Sequence, residues 1–363
     1  MKMPTAHIRE EIQRFGAISF ARFMELALYC PETGYYESQK DNIGRAGDFI
    51  TSVSVGSLFG ELLACQFADW LETLKSNGAE LAIIEAGAHD GTLAGDILAW
   101  LQRHRPELLD QIHYGILEPS PRRQAWQMEK LKAFGPRVRW FTDFEDLKAQ
   151  RPRLTGIIFS NELLDAFPVH RLGWNAAEKK WFEWAVTLDG DKFVWTRLPP
   201  DTSGFTFDLP PALLAVLPEN YTIETCPAAS DWWRAATGRL ARGKLLAIDY
   251  GFTDAEMFSP ARTRGTLRAY HHHHVSDDLL AHPGEQDLTA HVNFSAIQRA
   301  GEGVGLKTEN FCTQPQFLTR ILERSLKQNR FGGWSGKQTR QFQTLTHPEH
   351  LGRAFSVLVQ ARS

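Results

Sequence analysis

Short apolar runs alternate with amphipathic segments along most of the chain after residue 78, and this alternation restricts the fold more than any other feature. Buried strands that alternate with helices form a parallel sheet covered by helices on both faces. We therefore predict an α/β fold with a mostly parallel sheet. The last two runs lack a clear crossover helix, so we expect the final strand to enter the sheet antiparallel. The runs are ELAIIEA, IHYGILEPS, VRWFTDF, TGIIFS, GKLLAIDYGF, LKTENFC and AFSVLVQAR.

Two regions interrupt this pattern. Residues 169–211 contain two β-like runs joined by a DGD turn, which predicts an inserted hairpin. Residues 253–293 are polar and rich in histidine, and long insertions at strand ends commonly build a lid or a substrate site. Residues 5–29 predict two helices that separate at Gly16. The predicted regions are 1–77 (N-terminal helices and a glycine-bearing loop), 78–168 (first half of the core), 169–211 (hairpin insertion), 212–252 (core), 253–293 (polar lid or acceptor site) and 294–363 (C-terminal core).

Charge and cysteine usage exclude several classes of protein. With 40 basic and 43 acidic side chains the formal net charge is -3, which gives no electrostatic case for nucleic acid or an anionic membrane as a partner. No apolar run reaches the roughly 18 residues of a membrane span. The four widely separated cysteines, Cys30, Cys65, Cys226 and Cys312, suggest neither a zinc knuckle nor a disulfide framework.

The N-terminal segment bears on location. It has no apolar stretch of the kind found in secretory signals, it contains acidic residues, and it is short of serine, unlike a transit peptide. Together with the cysteine pattern, this composition leads us to expect a cytoplasmic protein.

The segment LAIIEAGAHDGTLAGDIL (81–98) has the form of a nucleotide-binding turn. Ligands of open parallel sheets bind beyond the carboxyl ends of the strands, and glycines such as Gly87 and Gly91 let a ligand approach the backbone. A pyrophosphate loop requires the spacing GxGxxG, whereas these glycines are spaced GxxxG. Glu85 would repel a pyrophosphate but suits a cation. S-adenosyl-L-methionine carries an ammonium and a sulfonium and no phosphate, so the loop favours this methyl donor.

Two further acidic residues follow the next strands. Glu118 ends the second strand, where a carboxylate can accept both ribose hydroxyls; NAD is held in the same way, so Glu118 does not discriminate between the two ligands. Asp143, after the third strand, is placed to accept from an adenine amino group. A helix N-cap or a solvated turn is the alternative for each of these residues.

The chain resembles the MidA/NDUFAF7 family, also called DUF185 proteins, of class I S-adenosyl-L-methionine-dependent methyltransferases. The resemblance covers nearly the whole chain and is carried by ISFARFMELALYCPETGYY, GDFITS…LFGELLA, EAGAHDGTLAGDIL, NELLDAFPVHRL, LLAIDYG, GTLRAY and QDLTAHVNF. It implies a Rossmann-like fold with a seven-stranded sheet whose last strand is antiparallel, an N-terminal helical region and an inserted lid. Its mitochondrial members methylate an arginine of a complex I subunit during assembly.

The resemblance also implies a set of residues for the donor. These are Gly47, Asp48, Phe49, Thr51, Ser52, Glu85, Gly87, Gly91, Glu118, Asp143 and Asn161. The sequence departs from the family pattern twice: His89 replaces the middle glycine of the loop, and Ser54 stands where the family has a glutamate. A positive φ at His89 would strain the turn.

Methyl transfer from a sulfonium requires mainly that the two reactants be positioned. A guanidinium acceptor starts charged, with a pKa above about 12, so carboxylates must orient it. Glu162 and Asp165 are three residues apart, and one helical turn would place them on one face. The alternative is that Asn161 caps this turn and the acids favour its N-terminus. Asp287, Thr289 and His291 alternate, and in an extended segment they would share a face that lines the acceptor site or ties down a loop.

The predicted activity is therefore methyl transfer. The resemblance implies that the acceptor is an arginine of a protein, a subunit of a respiratory complex. Whether the chain forms a homodimer is left open. The catalytic candidates are Glu162, Asp165, Asp287 and His291. The run His271–His274 lacks cysteine or carboxylate partners at metal-site spacing, so we expect a polar lid and no metal. The alternatives are an assembly factor that binds the donor without catalysis and an NAD-linked oxidoreductase, which the loop spacing and Glu85 disfavour.

Overall fold

The computed structural model describes residues 4–31, 33–38, 51–75, 80–198, 209, 211–271, 274–331, 333–353 and 355–363. The helices are α1 Pro4–Phe15, α2 Phe20–Tyr29, α3 Tyr35–Ser38, α4 Leu58–Leu74, α5 Thr92–His104, α6 Pro106–Leu109, α7 Pro121–Leu131, α8 Phe144–Gln150, α9 Pro211–Leu214, α10 Pro227–Arg239, α11 Asp254–Met257, α12 Phe294–Glu302, α13 Gln314–Lys327 and α14 Gly336–Thr346. Short 3-10 helices span Val53–Val55, Lys132–Arg137 and Leu164–Ala166.

The strands are β1 Ile18–Ser19, β2 Leu81–Ala86, β3 Ile112–Leu117, β4 Val138–Phe141, β5 Leu154–Asn161, β6 His170–Asn175, β7 Lys180–Asp189, β8 Lys192–Arg197, β9 Thr222–Thr225, β10 Leu240–Phe252, β11 Arg268–His271, β12 His274–Ser276, β13 Asp287–Thr289, β14 Val292–Asn293, β15 Lys307–Thr313 and β16 Phe355–Arg362. Each of the seven predicted apolar runs overlaps one strand of the main sheet.

The main sheet has the strand order β15-β16-β10-β5-β2-β3-β4, and the short β14 pairs with β10 in addition. Neighbours from β10 to β4 are parallel, whereas β16 is antiparallel to both β10 and β15. The expected antiparallel final strand is therefore present. Both faces of the sheet are buried: Leu81 and Ile83 of β2 pack into one core, and Ala82 and Ile84 pack into the core on the opposite face.

A second sheet has the order β1-β7-β6-β9, with β8 paired to β7. It contains the predicted hairpin, β7 and β8, with Gly190 at φ +56° in the turn. The sheet also contains β9, which lies beyond residue 211. The division of the chain into regions remains a prediction. The hydrogen bonds of this sheet cross the predicted boundary between residues 211 and 212.

Strands β11, β12 and β13 form a small third sheet inside residues 253–293. Helices α1 and α2 pack against the second and third sheets in one apolar core, with Phe23, Val186 and Leu288 among its buried members. The N-terminal helices and the two insertions thus share a core of their own. Among the described helices, none is long and apolar enough to cross a membrane.

Candidate active site

A cleft of about 210 Å³ lies beyond the carboxyl ends of β2 and β5. The chain runs from β2 outward to β4 and then crosses back to β5, so the strand order reverses between β2 and β5, and open α/β sheets bind ligands at such a point. The cleft is lined by Thr51, Val53, Ser54, Glu85, Gly87, Ala88, His89, Asp90, Thr92, Leu93, Asn161 and Glu162. It therefore brings together predicted residues from three separate segments of the sequence.

The glycine loop between β2 and α5 is bent by left-handed residues. Gly87 and Gly91 have φ of +74° and +84°, and a Cβ on Gly87 would lie 2.9 Å from Cδ1 of Leu163. His89 also has a positive φ, +47°, although it carries a side chain. The departure from the family pattern is thus a strained position, since a non-glycine residue in this region costs roughly 1–2 kcal/mol. Gln127 stabilises it by donating from Nε2 to the His89 carbonyl at 2.9 Å.

Glu85 lies at the base of the cleft and is 2% exposed. The Tyr114 hydroxyl donates to its Oε2 at 2.5 Å. Burial raises the pKa of Glu85 to about 7, and the hydrogen bond from Tyr114 opposes this shift. A cationic ligand in the cleft would favour the ionised form of this carboxylate.

Asp90 follows in the same loop, and its pKa is shifted in the opposite direction. It accepts from the Thr92 N–H at 2.9 Å and pairs with Lys130 of α7 at 2.5 Å. Burial alone would raise the pKa of Asp90, but the His89 ring, with Nδ1 3.9 Å from Oδ1, and hydrogen bonds from Lys130 and Thr92 outweigh it and hold the pKa well below its usual range. Asp90 is therefore an ionised, fully paired residue.

Glu118 follows β3 and is also paired, mainly by α7. Its Oε1 accepts from the Ser120 N–H at 3.0 Å and lies 3.1 Å from Nε of Arg123, and its Oε2 accepts from Gln127 at 3.1 Å. Burial raises the pKa of Glu118, and the charge of Arg123 opposes this shift. The predicted contact with ribose remains a prediction, and it requires some of these partners to be exchanged.

Asp143, predicted to contact adenine, is exposed and begins α8. Its Oδ1 accepts from the backbone N–H groups of Glu145 and Asp146, both at 2.8 Å. These contacts match the alternative interpretation of Asp143 as a helix N-cap.

The loop before α4 supplies one wall of the cleft. Thr51 and Ser54 bond to one another in a tight turn: the N–H of each donates to the hydroxyl of the other at 3.1 Å. Ser52 donates from its hydroxyl to Gln314 at 3.1 Å, which ties the loop to α13. The family glutamate is thus replaced at position 54 by a hydroxyl that is used within the turn. Gly47, Asp48 and Phe49 lie outside the described residues.

Glu162 directly follows β5 and has a left-handed backbone, φ +51°. Its Oε1 accepts from the Ser52 N–H at 3.2 Å and from Nδ2 of Asn161 at 3.1 Å. Burial raises the pKa of Glu162 to about 8. In the described part of the chain, Oε2 of Glu162 and Oδ1 of Asn161 are buried without a hydrogen-bond partner. Two acceptors without donors beside a cleft fit a ligand that carries an ammonium and a sulfonium.

Asp165 does not share an α-helical turn with Glu162, contrary to the prediction. A 3-10 helix begins at Leu164, so Glu162 lies outside it, and Asn161 does not cap it. Asp249, at the corresponding end of β10, instead accepts from the N–H groups of Leu163 and Leu164 at 3.1 and 2.9 Å. The sequence interpretation did not select Asp249, although its motif LLAIDYG is part of the family resemblance.

These residues form a buried acidic group beside the cleft, which we call the β5 side: Glu162, Asp165 and Asp249. Burial raises the pKa of Asp165 well above its usual range, and the charges of Asp249 and Glu162 add to the shift. Burial likewise raises the pKa of Asp249 to about 7. Among the described residues, no lysine or arginine forms an ion pair with these three carboxylates.

Asp287 and His291 lie in different surroundings, because β13 ends between them. Asp287 is 1% exposed; its Oδ1 accepts from the Tyr36 hydroxyl at 2.8 Å and its Oδ2 from the Thr289 hydroxyl at 3.0 Å. His291 was predicted to share this face, but β13 ends at Thr289 and His291 lines a separate cavity of about 90 Å³. Its ring stacks on Phe252 at 4.6 Å, and burial lowers its pKa to about 4. His291 is therefore placed away from the cleft.

Of the histidine run, the structure describes His271 and His274, and neither lines the cleft. His271 stacks on His282 with ring centroids 4.9 Å apart, and His272 and His273 lie outside the described residues. Within the described ranges, no group of three His, Cys, Asp or Glu side chains is placed to hold a metal ion.

The comparisons with known proteins agree with this geometry. Residues 62–312 match a family model described as "Putative S-adenosyl-L-methionine-dependent methyltransferase". The chain is 30% identical to the protein arginine methyltransferase NDUFAF7, mitochondrial, of Mus musculus, over 82% of this chain and 69% of that protein. It is 28% identical to the Danio rerio protein of the same name, over 98% of this chain and 87% of that protein.

A crystal structure of a protein from Burkholderia thailandensis bound to S-adenosyl-homocysteine superposes with a TM-score of 0.82 and 32% identity, covering 99% of this chain and 92% of that one. The predicted Rossmann-like methyltransferase fold is thereby confirmed. The expected cytoplasmic location is wrong by the same comparisons, because the relatives are named as mitochondrial proteins. The N-terminal composition used for that expectation did not identify the compartment.

Proposed function

Since the chain belongs to the DUF185 (MidA/NDUFAF7) family of S-adenosyl-L-methionine-dependent methyltransferases, we propose that it methylates an arginine side chain of a protein. The enzyme uses S-adenosyl-L-methionine as its methyl donor, as the family does. The arginine as acceptor is supported by the names of the relatives and by one observation in this chain, the acidic β5 side.

The β5 side carries the proposal because its carboxylates are buried and unbalanced. Burial raises the pKa of Glu162, Asp165 and Asp249, and the charge of Asp249 adds to the shift of the other two. In the described residues no lysine or arginine pairs with them. A buried carboxylate without a cation is unfavourable in its charged form. An incoming guanidinium would supply the missing charge with a planar fork of donors that suits carboxylates.

The donor would be held by the residues of the cleft. Gly87, with φ of +74°, forms the turn that the donor would pack against, and the free Oδ1 of Asn161 suits the ammonium. Glu118 would bind the ribose, with Gln127 holding its carboxylate in place. The donor supplies an activated methyl group on a sulfonium.

For the transfer itself, the protein orients the acceptor and removes a proton. A carbon–nitrogen bond forms to a guanidinium nitrogen as the carbon–sulfur bond breaks, and the acceptor must lose one proton. Glu162 has a pKa of about 8, which makes it a better proton acceptor near neutral pH than an ordinary carboxylate. Asp165 would hold the remaining N–H groups by charge-assisted hydrogen bonds.

We propose a subunit of a respiratory complex as the acceptor, as the family resemblance implies. A homodimer is a second proposal, which sedimentation of the purified chain would test.

A second candidate function is an assembly factor that binds the donor without efficient transfer. It is favoured by the strained His89 and by Ser54, whose hydroxyl is bonded within its own turn. Both residues depart from the family pattern within the donor cleft.

Transfer of a labelled methyl group separates the two functions. Purified protein is incubated with methyl-labelled S-adenosyl-L-methionine and an extract of cells that lack the gene, and the labelled protein is then hydrolysed to amino acids. We expect the label in methylarginine. Label in another amino acid would refute arginine as the acceptor, and donor binding without any label would favour the assembly factor.

A further inference from the structure

Helix α3 contacts both sides of the site through neighbouring residues. The Tyr36 hydroxyl donates to Asp287 at 2.8 Å. Glu37, the next residue, accepts from the Ser120 hydroxyl at 2.7 Å and lies 3.4 Å from the guanidinium of Arg123. A shift of α3 therefore changes the surroundings of Asp287 and of α7 together.

Tyr36 also anchors the acceptor side indirectly. Its ring stacks on Tyr29 with centroids 5.6 Å apart, and the Tyr29 hydroxyl donates to the carbonyl of Ala166 at 2.8 Å. Ala166 follows Asp165 directly. The seating of α3 thus bears on Asp165, which is proposed to hold the acceptor, and on Asp287, whose charge acts on Asp165.

Arg123 is shared between two carboxylates. Its Nε lies 3.1 Å from Oε1 of Glu118 and its Nη2 lies 3.4 Å from Oε1 of Glu37, with both Arg123 and Glu37 less than 15% exposed (12% and 14%). The Nε group makes no hydrogen bond of good geometry. A guanidinium presents its donors in a rigid fork, so closer bonding to one carboxylate is gained at the expense of the other.

We propose that Arg123 and Glu37 are positioning residues that couple ribose binding at Glu118 to the seating of α3 and so to Asp287. The inference rests on the proposed donor site. Ribose hydroxyls that donate to Glu118 replace the contact from Arg123, whose guanidinium then bonds Glu37 more closely. Helix α3 is held down as a result, and Tyr36 stays bonded to Asp287. The donor therefore binds first and completes the acceptor side.

Hydrogen–deuterium exchange of the full chain, with and without saturating S-adenosyl-L-homocysteine, tests this coupling. We expect the ligand to slow exchange of the α3 amides roughly tenfold, the effect of one added hydrogen bond to a charged group. In Glu37→Gln the ligand should still bind, as calorimetry will show, but the added protection should be lost. Glu37→Asp keeps the charge and should restore part of it.

Arg122→Gln is the matched control, because Arg122 lies beside Arg123 and donates to the Glu37 carbonyl without contacting Glu118. It should keep the protection. Equal protection in Glu37→Gln and the parent overturns the coupling, as does a parent that binds the ligand without protecting α3. Failure of the parent to bind the ligand overturns the donor site and the coupling together, whereas label outside arginine overturns the proposed acceptor alone.

Discussion

The two sides of the cleft differ in whether their carboxylates form ion pairs with lysine or arginine. On the side that packs against α7, which we call the α7 side, Asp90 and Glu118 are paired with Lys130 and Arg123 of that helix. On the β5 side, Glu162, Asp165 and Asp249 face one another, and no described lysine or arginine pairs with them.

The difference shows on which side the buried polar groups already have partners within the protein. Helix α7 turns one polar face toward both donor loops, and the buried Gln127 bridges the His89 carbonyl, Glu118 and the Trp140 indole. Such a satisfied network fixes its members in place. The β5 side has its carboxyl groups in place but lacks a cation that would favour their ionised forms, which fits a site that takes its cation from the substrate.

The largest effect is expected from Asp165→Asn, which removes a charge from the β5 side and keeps the shape. If Asp165 holds the guanidinium in the transition state, single-turnover methyl transfer should fall about 100-fold or more. Affinity for S-adenosyl-L-homocysteine should stay near that of the parent, because Asp165 does not line the cleft.

Stability provides the control for Asp165→Asn. In the folded protein the pKa of Asp165 is raised, so its ionisation costs stability as the pH rises above its unfolded value. The melting temperature of the variant at pH 8 should therefore equal or exceed that of the parent. A lower melting temperature with full transfer per folded molecule would make Asp165 a structural residue and remove the contrast between the two sides.

The next effect concerns the α7 side. Glu118→Gln should weaken S-adenosyl-L-homocysteine by about 1.5–3 kcal/mol, the range for hydrogen bonds to a charged group. Asp143→Ser is the matched comparison, since serine also caps a helix but cannot reach an adenine as aspartate could. Calorimetry should show unchanged affinity for Asp143→Ser if Asp143 is a cap. Parent-like affinity in Glu118→Gln would show that Glu118 does not bind ribose.

A smaller effect is expected from His89→Gly. Relief of the left-handed strain should gain roughly 1–2 kcal/mol, and the added freedom of glycine should cost about 0.5–1 kcal/mol, which leaves a small net gain in the free energy of unfolding. The bond from Gln127 goes to the backbone carbonyl and is retained. Chemical denaturation measures the difference; a destabilised variant would show that the His89 side chain supports the loop.

The smallest effect is expected in the number of protons that the protein releases when the donor binds. Glu85 and Glu162 line the cleft with pKa values of about 7 and 8, so both are partly protonated near neutral pH. A cationic donor favours their ionised forms and should release a fraction of a proton, so its affinity should rise with pH between roughly 6 and 9. Calorimetry in two buffers of different ionisation enthalpy should show more release for S-adenosyl-L-methionine than for S-adenosyl-L-homocysteine. Equal release for both ligands would remove the sulfonium from the neighbourhood of these carboxylates.

Much of the fold could be predicted, because strand and helix periodicities survive in the sequence. The seven apolar runs became the seven main strands. The last strand, β16, is antiparallel as expected, although α13 and α14 separate it from β15 and the expectation rested on the lack of a clear crossover helix. The cleft residues Glu85, Gly87 and Asn161 were also selected correctly as neighbours, since the carboxyl ends of parallel strands meet at one edge of a sheet.

The rest depended on tertiary contacts that the sequence does not display. Arg123 and Gln127 lie on a helix whose polar face reads as solvated until the fold buries it against the donor loops. Asp249 acts on backbone groups 85 and 86 positions away in the sequence. Alternation predicted that His291 would continue the face of Asp287, but the strand ends first.

Direct titration of the carboxyl groups tests the contrast between the two sides most closely. Carbon-13 chemical shifts of labelled aspartate and glutamate can be followed with pH in the ligand-free protein and assigned with Glu162→Gln, Asp165→Asn and Asp90→Asn. We expect Glu162 to titrate near pH 8 and Asp165 well above the usual range of aspartate, while Asp90 stays ionised as long as the protein is folded. Titration of Glu162 and Asp165 near pH 4, like ordinary exposed carboxyls, would contradict the claim that the β5 side is buried and lacks a cationic partner in the ligand-free protein.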